Sequence, residues 1–508
     1  MARFKDYNYD QIKMLPIDFN RQILPGTFEH SLTYLIEHEL DLSIFTSRYQ
    51  NDDNGRPAYD PAILLKIVLL AYSRGVTHSR KIERLCRENI LFIAISADSQ
   101  PHFTTIADFI SSSTEQIAKL FLQVLMVCDA QGLIGREMFA IDGCKLPSNA
   151  SKDCSGTHGE LKKKAEKLDK AVHYILAKHK ASDKHNLDEA LMERQQQHCE
   201  KLEKTSRKIK QFLDDNEPRY GVSGKEVKSN VTDNESAKMN TSHGVIQGYT
   251  GVASVDSKHQ VIVHAQAHGQ GQEHDLLKPS IEQSHANLKH TAKQKKATKI
   301  TADSGYCNKT VLEYLEQEHI DGYIADTGFR SRDPRFKEAE KHKPKTRLKP
   351  KENFTVEEFK VDLKKKICIC PAGKVMWLQC ADAVIGHHRF MKFQGHKEDC
   401  DNCQLRKRCL KNEHQKSARQ VAIKLGITEN HKTTSVIERM KTKVDSERGR
   451  QIYSQRLGTV EPVFGNITEA IGIRRFSLRG KKRVNGQWQL MAIIHNLFKI
   501  HRYGTSFA

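Results

Sequence analysis

Two short apolar runs in this chain stop on an aspartate, and that repetition constrains the fold more than any other feature. Met138 to Ile141 leads into Asp142-Gly143, and Ile300 to Ala302 leads into Asp303-Ser304-Gly305. Each run has the length and composition of a buried strand bounded by turn residues. Asp-Gly is a common turn dipeptide, so Asp142 alone reads as the place where the chain turns at Gly143. Taken together, two carboxylates at strand ends can meet along one edge of a sheet, where a divalent cation would offset their repulsion. Such an oxygen-rich site suits magnesium or manganese.

A third acid has to come from elsewhere. Glu461, in GTVEPVFGNI, is expected at the start of a helix, with Thr459 as N-cap and Pro462 in the first turn. Spacing alone leaves it as a first-turn glutamate favoured by the helix dipole. Asp233, Asp256, Asp326 and Glu469 compete for the same place.

The sequence around these acids is α/β. Residues 10–118 read as short helices joined by Gly or Pro turns. Asp60 and Pro61 open the core-facing ILLKIVLLAY helix, and Thr105 with Asp108 is spaced as a capping box. This pattern fits a helix-turn-helix unit or an ordinary helical bundle. From Gly159 to Leu213, Leu161, Ala165, Leu168, Val172 and Ile175, then Leu202, Ile209 and Leu213, mark an antiparallel helical hairpin with a coiled-coil seam. Val- and Ile-rich segments at 244–256 and 259–269 form a hairpin. A helix, a strand at 297–303, a helix and a strand at 321–326 follow, giving a mixed sheet without a Gly-rich phosphate loop. Residues 327–444 are the least regular, and helices return from Asp445. The expected domains are 1–118, 119–330 (with the hairpin at about 155–218), 331–444 and 445–508.

Lys and Arg exceed Asp and Glu by 20, and the excess is clustered at Lys289–Lys299, Lys337–Glu352 and Arg474–Arg483. Each cluster alone is a solvated face; three together suggest an extended anionic ligand. The start MARFKDYNYD has no signal-peptide core, and the longest apolar run, Ala62–Tyr72, is too short to span a membrane and contains Lys66. A soluble cytoplasmic protein follows as the expectation, so the 12 cysteines are not read as a disulfide framework. Cys370, which precedes Pro371 and Gly373, with Cys400, Cys403 and Cys409, could hold structural zinc through four thiolates. Free thiols are the alternative, and Cys368, Cys380, His387 and His388 are spare donors.

FAIDGCKLPSNASK, ITADSGYCNK, VEPVFGNI with RRFSLRGKKRV, and IIHNLFKI resemble, in order, the blocks of bacterial insertion-sequence transposases of the DDE class. RPAYDPAILLKIVLLAYSRGVTHSRKIERLCREN with PHFTTIADF resembles their N-terminal helical domain, and NVTDNESAKM with GYTGVASVD the block between the first two acids. The resemblance implies a ribonuclease H-like domain whose acids match Asp142, Asp303 and Glu461 and bind two magnesium or manganese ions. It also implies cleavage and transfer of double-stranded DNA at terminal inverted repeats, a homodimer in the DNA complex and a nucleoid location. DNA contacts are expected from Arg456, Arg474, Arg475, Arg479 and Lys481. The pattern departs from the family at three points: Tyr453 and Arg456 precede Glu461 with one extra residue of spacing, Thr468 stands where a Lys is usual, and Cys144 replaces a small or hydroxyl residue. A domesticated transposase that binds DNA without cutting it is the alternative, and a structural RNA-associated protein has only the charge in its favour.

Overall fold

In the computed structural model, the residues described are 18–49, 57–182, 189–221, 224–242, 244–289, 298–336, 353–385, 388–410, 412, 415–427 and 435–504. His387 and the whole 337–352 basic cluster lie outside them, as does most of the 289–299 cluster. The chain divides into two compact units, residues 1–327 with 446–508, and residues 328–445.

The first unit opens with helices, among them α1 (Pro61–Ser73), α2 (Ser79–Glu88), α3 (Phe103–Ser112) and α4 (Thr114–Ala130). Asp60 caps α1 through Ala62 N–H at 2.7 Å, with Pro61 in the first turn, as expected from the sequence. The cap of α3 differs from expectation. The helix already begins at Phe103, and its N-cap is His102, whose Nδ1 accepts from Thr104 N–H at 3.4 Å, so Thr105 and Asp108 are interior residues.

Next come β1 (Met138–Pro147), the long helices α5 (His158–Ser182) and α6 (Glu189–Asp215), and strands β2 (Ala237–Thr241), β3 (Gly244–Asp256) and β4 (Ile262–His268). They are followed by α7 (Leu277–Asn287), β5 (Lys299–Ala302), α8 (Lys309–Gln317) and β6 (Gly322–Ile324). Two C-terminal helices, α9 (Glu447–Gly465) and α10 (Lys481–Tyr503), complete the unit. Leu161, Ala165, Ile209 and Phe212 pack between α5 and α6, the apolar seam of the hairpin.

The sheet runs β6-β5-β1-β3-β2, with β4 also paired to β3. β1, β3 and β4 are antiparallel, while β5 and β6 continue parallel to β1. The expected turn at Gly143 is absent. β1 continues through it, with Asp142 opposite Ala253, Gly143 opposite Val252 and Lys145 opposite Thr250. Ladder pairing across β3 keeps the strand extended past its apolar run, and local composition does not reveal that pairing. Helix α10 fastens the sheet to the N-terminal helices. Trp488 covers Gly251 and donates to Val252 O at 2.9 Å, Asn496 bonds both main-chain groups of Ile262, and Gln487 donates to Tyr72 Oη.

The second unit holds the segment whose sequence looked irregular, and it is an antiparallel sheet. Its strands β7 (Lys360–Asp362), β8 (Ile367–Ile369), β9 (Val375–Ile385), β10 (His388–Gln394) and β11 (Gln420–Ile427) pair in chain order. Phe359, Cys368, Met376, Met391, Phe393 and Val421 form its core. Register shifts between Leu378 and Ala383 break the period-2 alternation that would have revealed the strands.

Candidate active site

β1 and β5 are parallel neighbours, and their last paired residues are Ile141 and Ala302. The next residue on each chain is an aspartate, so the sheet itself sets Asp142 and Asp303 side by side. Arg456, from α9, links them. Its Nη1 donates to Asp142 Oδ2 at 2.6 Å and its Nη2 to Asp303 Oδ1 at 3.5 Å. The arginine side chain is only 5 % exposed, against 18 % for Asp142 and 44 % for Asp303. Arg456 was expected on a DNA-facing surface; it is instead buried under the two acids. Gly143 N–H also bonds Asp142 Oδ1 at 2.8 Å. Burial raises the Asp142 carboxyl above its ordinary value, against the opposing pull of Arg456 and of this N–H.

The two aspartates open onto a groove of about 980 Å³ lined by residues 142–147 of β1, by Asn240, Thr241 and Ser242, and by Phe464, Thr468, Glu469 and Arg474. One more acid lines it: Glu273, from the loop between β4 and α7. Burial pushes its carboxyl up to about 7, with Asp142 adding to the rise, Lys145 opposing it and Asp303 adding less. Nothing in the sequence singled out Glu273, because it does not end an apolar run: the Gly and Gln residues at 269–272 separate it from β4. Tyr306 is fully buried, and burial, then the charges of Glu273, Asp142 and Asp303, raise its hydroxyl well above the ordinary value.

Glu461 does not begin a helix. α9 starts at Glu447, fourteen residues earlier, where Ser446 Oγ caps it by accepting from Gly449 N–H at 3.0 Å. Thr459 is interior, and its hydroxyl donates to Gln455 O at 2.8 Å. Pro462 is tolerated so deep in the helix because the carbonyl its missing N–H would have bonded, Gly458 O, accepts from Gln260 Nε2 at 3.0 Å. Glu461 is exposed and does not line the groove, whereas Phe464 and Thr468, one and two turns further on, do. Among the competing acids, Asp256 is tied to three backbone N–H groups (Gly135, Arg136, Lys258) and Asp233 to Tyr249 Oη and Gly480 N–H, both structural roles. Glu469 lines the groove but pairs with Arg474.

The remaining basic candidates are exposed along the approach to α10. Arg475 Nη2 donates to Ser148 O and Arg479 Nε to Asn149 O, which fixes the segment beside the end of β1, and the Lys481 side chain is exposed. In the second unit, Cys370, Cys400, Cys403 and Cys409 border one cavity of about 40 Å³, and Gly373 N–H closes a turn on Cys370 O at 2.8 Å. Among the described residues, no group of three or more His, Cys, Asp or Glu side chains is gathered as a metal cage, at either place.

Two family models match the chain: the transposase DDE domain over residues 369–501, and the transposase domain DUF772 over residues 18–112. The chain belongs to the insertion-sequence DDE transposases. The DDE match includes Glu461 and the four cysteines of the transposase, while Asp142 and Asp303 lie before it. No curated protein and no solved structure matches the chain. Among the described residues of the transposase, no helix is long and apolar enough to cross a membrane.

Proposed function

We propose that this transposase binds the terminal inverted repeats of its element and cleaves and joins DNA strands, with Asp142, Asp303 and Glu461 as its acids. The observation that carries the reading is the pair of aspartates at adjacent positions on parallel strands, opening onto a groove with Lys145 and Arg474 in its walls. A sheet of four antiparallel strands continued by two parallel ones supports the ribonuclease H-like assignment.

The donor set in the groove is carboxylate oxygen, which suits magnesium or manganese held by Asp142 and Asp303; Glu461, the proposed third acid, stands outside the groove lining on α9 and would have to be brought to it. Divalent ions supply such a site with a nucleophile ionised near neutral pH and with neutralisation of the leaving oxygen. In hydrolysis, a water oxygen bonds to phosphorus as the bond to the 3′-oxygen breaks, and the 3′-oxygen takes up a proton. In strand transfer, the liberated 3′-hydroxyl attacks a target phosphodiester in the same way. Arg456 bonds both aspartates and opposes the rise that burial imposes on the Asp142 carboxyl. Arg474 and Lys145 offer charge to the phosphates on either side of the scissile bond.

Incubating the full chain with magnesium and an end-labelled terminal repeat tests this. Asp142→Ala is expected to lose cleavage while retaining DNA binding; cleavage equal to the unsubstituted protein would remove Asp142 from the site. Binding without nicking by either protein would favour a domesticated transposase. The four cysteines of the second unit share a cavity without forming a cage, so structural zinc there is a separate proposal. Metal analysis of freshly purified protein should find one equivalent of zinc, lost in Cys403→Ser, and zinc-free protein rejects it.

A further inference from the structure

Glu273 sits where the strand ends carrying Asp142 and Asp303 converge. A methyl group placed on Gly143, the residue after Asp142, would stand 2.8 Å from Glu273 Oε1. One placed on Gly305, two residues after Asp303, would stand 3.5 Å from Oε2. The carboxylate therefore lies between the two strand ends, in space that both chains leave open by carrying glycine. Its loop is fixed from behind, since Leu276 N–H donates to Glu273 O at 3.0 Å.

The charges around it do not balance. Asp142 and Asp303 share a single guanidinium, that of Arg456. Among the described residues, no donor reaches the carboxylate of Glu273 within hydrogen-bond distance. The hydroxyl of Tyr306, fully buried and within electrostatic reach of the same acids, has no hydrogen-bond partner either. Three acids face the Arg456 guanidinium and the charge of Lys145, which leaves an excess of negative charge in a half-enclosed place, and a divalent cation is the species that relieves it.

We infer that Glu273 is a fourth acid of this site, a carboxylate that would close with Asp142 and Asp303 around a divalent cation on binding, since the three side chains are not gathered as a cage without it. The inference rests on the proposed reading of the groove, and the experiment separates the two. Manganese binding to the full chain without DNA is followed by the loss of the free-ion electron paramagnetic resonance signal, for the unsubstituted protein and for Glu273→Gln, Glu273→Asp, Asp142→Ala and Glu461→Gln. Glu273→Gln is expected to weaken binding about tenfold or more, with Glu273→Asp between it and the unsubstituted protein. Without metal, Glu273→Gln should melt no lower than the parent at pH 8, because it removes a charge repelled by its neighbours; a merely structural glutamate would lower the melting temperature. If Asp142→Ala loses manganese and Glu273→Gln does not, Glu273 is not a ligand while the groove reading stands, and loss in Glu461→Gln alone overturns the inference likewise. Unchanged binding in both Asp142→Ala and Glu273→Gln overturns the groove reading and this inference with it.

Discussion

Residue 143 has no room for a side chain. A methyl there would meet Thr250 Cγ2 at 2.7 Å, and Thr250 is held in place by its own bond to Gln270 O at 2.8 Å. Gly143→Ala should therefore destabilise the full chain by about 1–3 kcal/mol, read from chemical denaturation. A loss under a few tenths would mean that the strand shifts freely at this point. The neighbouring ion pair makes a second prediction. Arg456→Met leaves two carboxylates facing each other without their shared cation. Removing one partner of a fully buried pair costs about 3–5 kcal/mol, and the groove-side exposure of Asp303 reduces this to about 2 kcal/mol here. Manganese should restore part of that loss, because a divalent ion supplies the missing positive charge. Equal melting losses with and without manganese would show that the aspartates do not take up the ion.

At the level of the element, the C-terminal helix α10 carries a pH dependence into the fold. His495 on this helix is fully buried against β4, its Nε2 is 2.9 Å from Gln260 O, and burial lowers its pKa to about 4. His264, on β4 itself, is lowered to about 3 by burial. Both stay neutral in the folded chain while the unfolded chain protonates them near pH 6.5, so the stabilisation is complete above that pH and is lost on descending toward pH 4. His495 alone accounts for about 3 kcal/mol of that loss. His495→Gln, which can still donate to Gln260 O, should flatten the fall in melting temperature between pH 6.5 and 4, and an unchanged slope would place the acid sensitivity elsewhere. Elements differ in how plainly their residues announce them. The strands bearing Asp142 and Asp303 were legible because buried parallel strands are short, apolar and bounded by turn residues. The second half of β1 was not, since Gly143, Cys144 and Lys145 are strand residues only by virtue of β3 across the ladder. The sheet of the second unit was hidden by bulges and by polar side chains on its open face, such as Gln379 and Lys424. Glu273 was invisible for a related reason: a loop glutamate acquires meaning only from two strand ends more than a hundred residues apart in sequence, 142 and 303, that meet beside it.

At the scale of the whole molecule, the charge of +20 is set against a site of acids, so DNA entering the groove as proposed would be repelled there unless the rim offset it. The segment from Arg474 to Lys481 is that rim. Phe476 N–H donates to Pro147 O at 2.8 Å, Arg475 and Arg479 bond the carbonyls of Ser148 and Asn149, and Arg474 lines the groove itself. Basic side chains held beside the strand that carries Asp142 can grip the phosphates flanking a bond presented to the acids, whereas the same charge spread over a remote surface would attract DNA without placing it. Arg474→Gln, Arg475→Gln and Lys481→Gln combined should therefore weaken binding of a terminal-repeat duplex and flatten its salt dependence, by about 0.9 in the log–log slope for each phosphate that is no longer neutralised. Melting temperature should change little, because Lys481 and the Arg474–Glu469 pair are exposed and Arg475 gives up one hydrogen bond, to Ser148 O. A triple variant with the parent's salt slope would mean that phosphates are held elsewhere, and a variant that binds as tightly yet cleaves poorly would assign the segment to positioning DNA at Asp142 and Asp303 instead of to affinity.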